Sequence, residues 1–226
     1  MKKIILAATL LAASLTTFAQ DETIKPTSGE NTLELQFAPL GGSPFSMGGI
    51  RYRKFTSETM AFRATVFIGY TNTSTLKQEE DGDADLIKLK DASSSFEIAI
   101  RPGVEFHLAG TSRLSPYYGA EIDIANKQTR DKTQTQNADK AVDKAVTRNA
   151  DGFTRLGLNG IFGADYYLAP KVFIGAELGF GLAFTKDSKT VGVPAEGDKV
   201  ESKVGNEGTF NLGPNVLAQF RLGIVF

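Results

Sequence analysis

Long stretches of this chain alternate between apolar and polar residues with a period of two, the signature of strands that present one apolar and one polar face. The segment MAFRATVFIGY places Met60, Phe62, Ala64, Val66, Ile68 and Tyr70 on one face and Arg63, Thr65 and Gly69 on the other. The same period runs through TLELQF (32–37), GIRYRKF (49–55), SFEIAIRPGVEFHL (95–108), YYGAEIDIAN (117–126), TRLGLNGIFGADYYL (154–168) and VFIGAELGFGLAF (172–184). A last segment runs from about Phe210 to Phe226, so the pattern predicts eight strands.

Alternation alone does not say which face is inside. A secreted β-sandwich or lipocalin-like barrel would turn the apolar face inward, with strands of about 5 to 6 residues in the sandwich case. Two features argue for the opposite arrangement. The last two strands exceed the span of about 9 to 11 residues that a tilted strand needs to cross a bilayer. The polar faces carry six of the nine arginines (Arg51, Arg53, Arg63, Arg101, Arg155 and Arg221), whereas lysines sit mainly in the connections. A water-facing surface uses Lys freely; Arg is favoured where an enclosed charge must hold carboxylates in fixed geometry. Glu34, Glu97, Glu105, Glu121, Asp123, Asp165 and Glu177 share those faces and complete an expected lumen charge network. Within it, Glu177 and Arg221 are expected to form a buried pair on neighbouring strands, with Glu121, Glu105 and Arg63 in the same half.

The connections alternate in length. TSET (56–59), AGTSRLSP (109–116) and LAPK (168–171) are short, while 71–94, 126–151 and 186–207 are long and polar. Only the first hairpin, around PLGGSPFS (39–46), departs from the rule. Short turns at one end and long loops at the other predict an all-β protein, an eight-stranded antiparallel transmembrane up-and-down β-barrel. A barrel of that size is filled by its own side chains. The opening MKKIILAATLLAASLTTFAQ has two lysines, a short apolar run and small residues before Gln20, which predicts a cleaved signal peptide at 1–19. An N-terminal periplasmic segment (20–31) and the barrel (32–226) follow.

Composition removes several function classes. With no Cys there is no thiolate chemistry and no disulfide framework. Twenty-five basic against 26 acidic residues leave no basic footprint for nucleic acid. EEDGDAD (79–85) spaces Asp81, Asp83 and Asp85 like a calcium loop, but Leu86 stands where such a loop needs Gly and Ala92 where it needs Glu. No metal site or cofactor is expected. The single histidine, His107, falls at the short-turn end of its strand and is read as structural or lumen-lining. Pro102 predicts a bulge in the fourth strand, and Pro214 falls where a lost ladder bond costs little. Tyr117, Tyr118, Tyr166 and Tyr167 suit an aromatic girdle near the short turns and equally suit ordinary strand aromatics. ADKAVDKAV, with Ala138, Ala141, Val142 and Ala145 at helical spacing, suggests a short loop helix.

Taken together, the signal peptide, the eight alternating segments, RPGVEFHL, SPYYGAEIDI, YYLAPKVFIGAELGFGLAF and the terminal FRLGIVF resemble the small OmpA/OmpX-like outer-membrane β-barrel family of Gram-negative bacteria. The resemblance covers nearly all of the mature chain and implies a barrel domain with no peptidoglycan-binding domain after it. It implies outer-membrane lipids as surroundings, and periplasmic chaperones and the barrel-assembly machinery as partners during biogenesis. That machinery recognises a last strand with alternating apolar residues and a terminal aromatic, the role implied here for Phe220, Leu222, Ile224 and Phe226. Three functions are compatible: a non-enzymatic barrel with a structural or surface-interaction role, presenting 71–94, 126–151 and 186–207 to partners; a small ion or solute channel; and an outer-leaflet lipid-modifying enzyme, which the position of His107 disfavours. Phe226→Ala, or deletion of Phe226, is expected to lower outer-membrane assembly and leave a periplasmic pool, read by cell fractionation; normal assembly of both variants would remove the argument from the terminus.

Overall fold

A computed structural model describes residues 23–37, 47–80, 86–136, 142–194, 200–202 and 208–226. The signal peptide, the PLGGSPFS connection, Asp81, Asp83 and Asp85 lie outside the described residues. The structure is an antiparallel sheet of eleven strands. In order they are β1 (Asn31–Phe37), β2 (Met47–Ser57), β3 (Met60–Glu80), β4 (Leu86–His107), β5 (Leu114–Gln136), β6 (Val142–Arg148), β7 (Phe153–Ala169), β8 (Val172–Asp187), β9 (Thr190–Val193), β10 (Val200–Ser202) and β11 (Gly208–Val225).

Pairing follows a ring. β1 pairs with β2, β2 with β3, β3 with β4 and β4 with β5. β5 pairs with β7, β7 with β8, β8 with β11, and β11 returns to β1. The three other strands build outward from β5: β6 pairs with it, β9 with β6, and β10 with β9.

Eight strands make the ring; the three further strands and the lengthened ring strands correct the expected loops. Residues 71–94 are mostly strand, because β3 and β4 stay in register from Met60↔Phe106 to Glu80↔Leu86. β5 likewise runs into the second expected loop as far as Gln136, β6 follows within it, and β9 and β10 lie within the third. These extensions are mostly polar, with only short apolar repeats such as Ile87 and Leu89, so they lack the long apolar alternation that announces a strand. Their Thr-rich backbone pairs all the same, continuing ladders already aligned below. The expected loop helix is also absent: Val142 and Ala145 lie on β6, opposite Gln136 and Thr133, while Ala138 and Ala141 lie outside the described residues. A helix of this length is marginal by itself, and the β5 edge supplies backbone partners instead.

Pro102 makes no bulge. Its strand keeps an unbroken register with β3, where Pro102 faces Ala64. Toward β5 the pairs run from Ile100↔Ile124 directly to Gly103↔Glu121, which is the same register with a gap. The missing N–H removes ladder contact without requiring an inserted residue. The neighbouring Gly103 lets β5 approach closely, since a Cβ there would collide with the Ala120 carbonyl. Around Pro214, by contrast, the β11–β8 register shifts twice, between Gly213 and Val216 and between Val216 and Gln219.

Burial is inverted relative to a water-soluble protein. Arg51, Arg53 and Arg221 are among the largest fully buried side chains. Phe62 (54%), Ile68 (64%), Phe162 (65%) and Leu178 (61%) are among many large apolar residues left exposed. Strand alternation places these two sets on opposite faces of one sheet. At the short-turn end the N-terminal segment crosses the strands: Ile24 packs on Tyr167, Phe173 and Val225. The backbone of Gly29 donates to the Phe55 carbonyl (2.8 Å), and that of Phe55 to the Glu30 carbonyl (2.9 Å).

Because residues 71–76 lie in a ladder, about every second amide from Thr71 to Leu76 is expected to show hydrogen-exchange protection well above that of an open loop. Unprotected exchange throughout this stretch would contradict the β3–β4 extension.

Candidate functional site

The buried face carries a continuous lattice of guanidinium and carboxylate groups. Arg51, on β2, grips Glu177 of β8 with both terminal nitrogens (2.8 Å each) and donates from Nε to Thr65 Oγ1 (3.0 Å). Arg53, two residues along and therefore on the same face, donates from Nη1 to Glu105 (3.0 Å) and Asp165 (2.8 Å), and pairs through Nε with Glu34. Arg63 of β3 contacts Glu105 (2.7 Å), Glu121 (2.8 Å) and Glu177 (2.8 Å). Arg221 of β11 joins Glu34 (2.8 Å) to Asp165 (2.6 Å).

Arg53 and Arg63 are direct cross-strand neighbours, a placement that would be repulsive if left alone. Glu105 relieves it by giving one oxygen to each guanidinium. Beyond this lattice, toward the extended strands, Asp123 holds Arg101 (2.8 Å) and Arg155 (2.6 Å) in a second, more open cluster. Glu97 is half-buried and makes no ion pair among the described residues.

Glu177 and Arg221 do not form the expected pair. Register sets Gln219 opposite Glu177 and Arg221 opposite Gly175. Glu177 takes Arg51 and Arg63, while Arg221 takes Glu34 and Asp165. The links between the two are indirect, one of them through the 3.8 Å contact of Arg51 with Glu34. Gly175 explains the room: a Cβ there would lie 2.5 Å from Arg221 Nη2 and 2.7 Å from Asp165 Oδ1.

Tyr117 and Tyr167 do not belong to an outer girdle. Both are buried, whereas Tyr118 and Tyr166 are exposed, because successive residues of a strand face opposite ways. The Tyr117 hydroxyl donates to Glu177 (2.5 Å), and Arg221 stacks over its ring (5.2 Å to the centroid). Phe173 lies under the Arg53 guanidinium (5.0 Å to the centroid), a favourable setting for a cation. His107 is buried, with Nδ1 2.9 Å from Ser115 Oγ and Nε2 3.4 Å from Glu105. Thr32 and Thr65 are further polar partners that residue type did not single out. Their parity, shared with Glu34 and Arg63, was the available signal.

On the outer face of the last strand, which ends at the short turns, the apolar positions include the exposed Phe220 and Phe226, with Leu222 and Ile224 partly exposed between them. The Phe226 backbone is held by reciprocal bonds with Asn31 (2.8 and 2.9 Å).

Residues 69–203 match the sequence model of the OmpA-OmpF-like porin family. The chain belongs to that family. No curated protein compared with it matches. The matched region is all-β among its described residues, and the described residues contain no cluster of His, Asp or Glu able to hold a metal ion. In this member of the porin family, what the buried groups do chemically is hold one another in place.

Removing one partner of a buried pair costs about 3 to 5 kcal/mol, because the other charge stays uncompensated. Arg221→Ala should therefore strongly lower stability to urea in lipid. Combined with Asp165→Ala the cost should fall well short of additive, whereas with Glu177→Ala it should lie much nearer additivity. Equal coupling in both cycles would contradict the pairing described.

Proposed function

We propose that β1–β5, β7, β8 and β11 close into an eight-stranded transmembrane up-and-down β-barrel in the bacterial outer membrane, with a structural or surface-interaction role. The observation that carries the reading is the inversion of burial: apolar side chains cover the outside and paired charges fill the inside. Such a protein is stable only where its outer face meets hydrocarbon. The ring of antiparallel pairings, with β7 on β5 and β11 on β1, supports closure. Membership in the porin family supports the outer membrane as its place, reached through the signal peptide at 1–19 and the assembly machinery acting on the strand that ends Phe220, Leu222, Ile224 and Phe226. The short turns face the periplasm in this reading. The β3–β4 and β5–β6 extensions then stand at the cell surface, where they can meet partners.

The family name favours a second reading as a small channel. Against conduction stands the lattice itself: the side chains of Arg51, Arg53, Arg63 and Arg221 are at most 2% exposed, so they occupy the path at that level.

The refolded protein, left unboiled, is expected to migrate faster on a denaturing gel than the boiled protein, since a closed barrel offers detergent no edge. A single unshifted band would favour a soluble fold. In planar bilayers the same preparation should show no steady porin-like conductance; regular single-channel steps would favour the channel.

A further inference from the structure

The extensions of β4 and β5, with β6, separate charge by face. On β4, Lys88 and Lys90 share parity with Phe96, Ile98 and Ile100 of the apolar outer surface. On β5, Arg130 and Lys132 share parity with Ile122 and Ile124. Register carries the face onto β6, where Arg148 lies opposite Arg130 and Lys144 opposite Gln134. All six cations are exposed. The neighbouring acids Asp91 and Asp131 have the opposite parity and point to the other face. Asp91 is held there by Lys77 and by the backbone N–H of Gln134, which keep its carboxyl below the usual range.

The backbone also opens on this face. β4 and β5 pair only as far as Ala92↔Lys132. Beyond that point β4 continues with β3 and β5 with β6, so two hairpins diverge. Between them lies a cleft of about 710 Å³, lined in part by Lys90, Arg130, Lys132 and Lys144. Arg130 is one outward position beyond the level of Phe96 and Gln128, and each further outward position adds about 7 Å along the strand. The cations therefore begin where the apolar surface ends.

We propose that this cleft binds the phosphorylated headgroup of an outer-leaflet lipid whose acyl chains lie on the apolar face below. The inference rests on the membrane-barrel reading. It follows from continuity between apolar and basic surface on one side of the sheet, and from a cleft whose described lining carries four cations and no carboxylate. A phosphate so placed meets several donors at once and takes charge-assisted hydrogen bonds from Arg130. A soluble anion would gain the charge term but nothing from the apolar wall.

The test uses full-length refolded protein in neutral detergent, with wild type compared to K90Q/R130Q/K132Q/K144Q. These exposed positions lie outside the buried lattice, and the heat-dependent gel shift of both proteins is recorded alongside. Wild type should bind bisphosphorylated lipid A at least about tenfold more tightly than the variant, since each basic residue near an anionic lipid surface contributes appreciably. Binding of phosphatidylcholine should not change, and excess inorganic phosphate should not displace lipid A. Equal lipid A binding by two heat-shifting proteins would overturn the inference alone. Displacement by inorganic phosphate would make the cleft a free-anion site and overturn the lipid assignment. Loss of the heat shift in wild type would overturn the barrel reading and this inference with it.

Discussion

A guanidinium taken out of water must find carboxylates on more than one side, and the architecture of this protein depends on meeting that demand. Arg53 draws Glu34, Glu105 and Asp165 from three different strands, and Arg63 draws Glu105, Glu121 and Glu177 from three. No two adjacent strands could supply these sets. A sheet curved back on itself brings the facing strands within reach, so curvature and pairing support each other. Desolvation opposes such a lattice, and only near-complete satisfaction makes it tolerable.

The packing around the lattice follows from the same demand. Bulky guanidinium heads need space, which Gly175 provides beside Arg221 and Asp165. Aromatic rings close the short-turn end, where Phe55 and Phe173 lie against Arg53 and Tyr117 against Arg221. Ile24 then packs over Tyr167, Phe173 and Val225. The interior thus grades from a sealed floor, through the charge lattice, to the looser Arg101–Asp123–Arg155 group near the extensions.

A near-neutral total of 25 basic and 26 acidic residues conceals this organisation. Charges of both signs neutralise one another inside, whereas on β6 and the outer parts of β4 and β5 they are sorted by face. Sorting requires only the two-residue period of a strand, the same device that separates apolar from polar positions lower down. One geometric rule therefore yields an apolar outer wall, a charged interior and a basic outer cleft.

Much of this was legible before any coordinates. Period-two alternation marked the strands that form the ring, because one face of each meets a single environment along its length. The preference for Arg over Lys marked the enclosed face, and parity would have placed Tyr117 and Tyr167 inside had it been applied to them. Partner choice was not legible: Glu177 and Arg221 are both interior, but register and the reach of each side chain assign them to different partners. The strand extensions were hard to see for a related reason, since they are mostly polar and their apolar repeats, as in Ile87 and Leu89, are too short to mark a long strand. A strand's sequence determines which face a residue occupies; only the ring of strand pairings decides what that residue meets on the buried face, because those neighbours come from segments far apart in the chain.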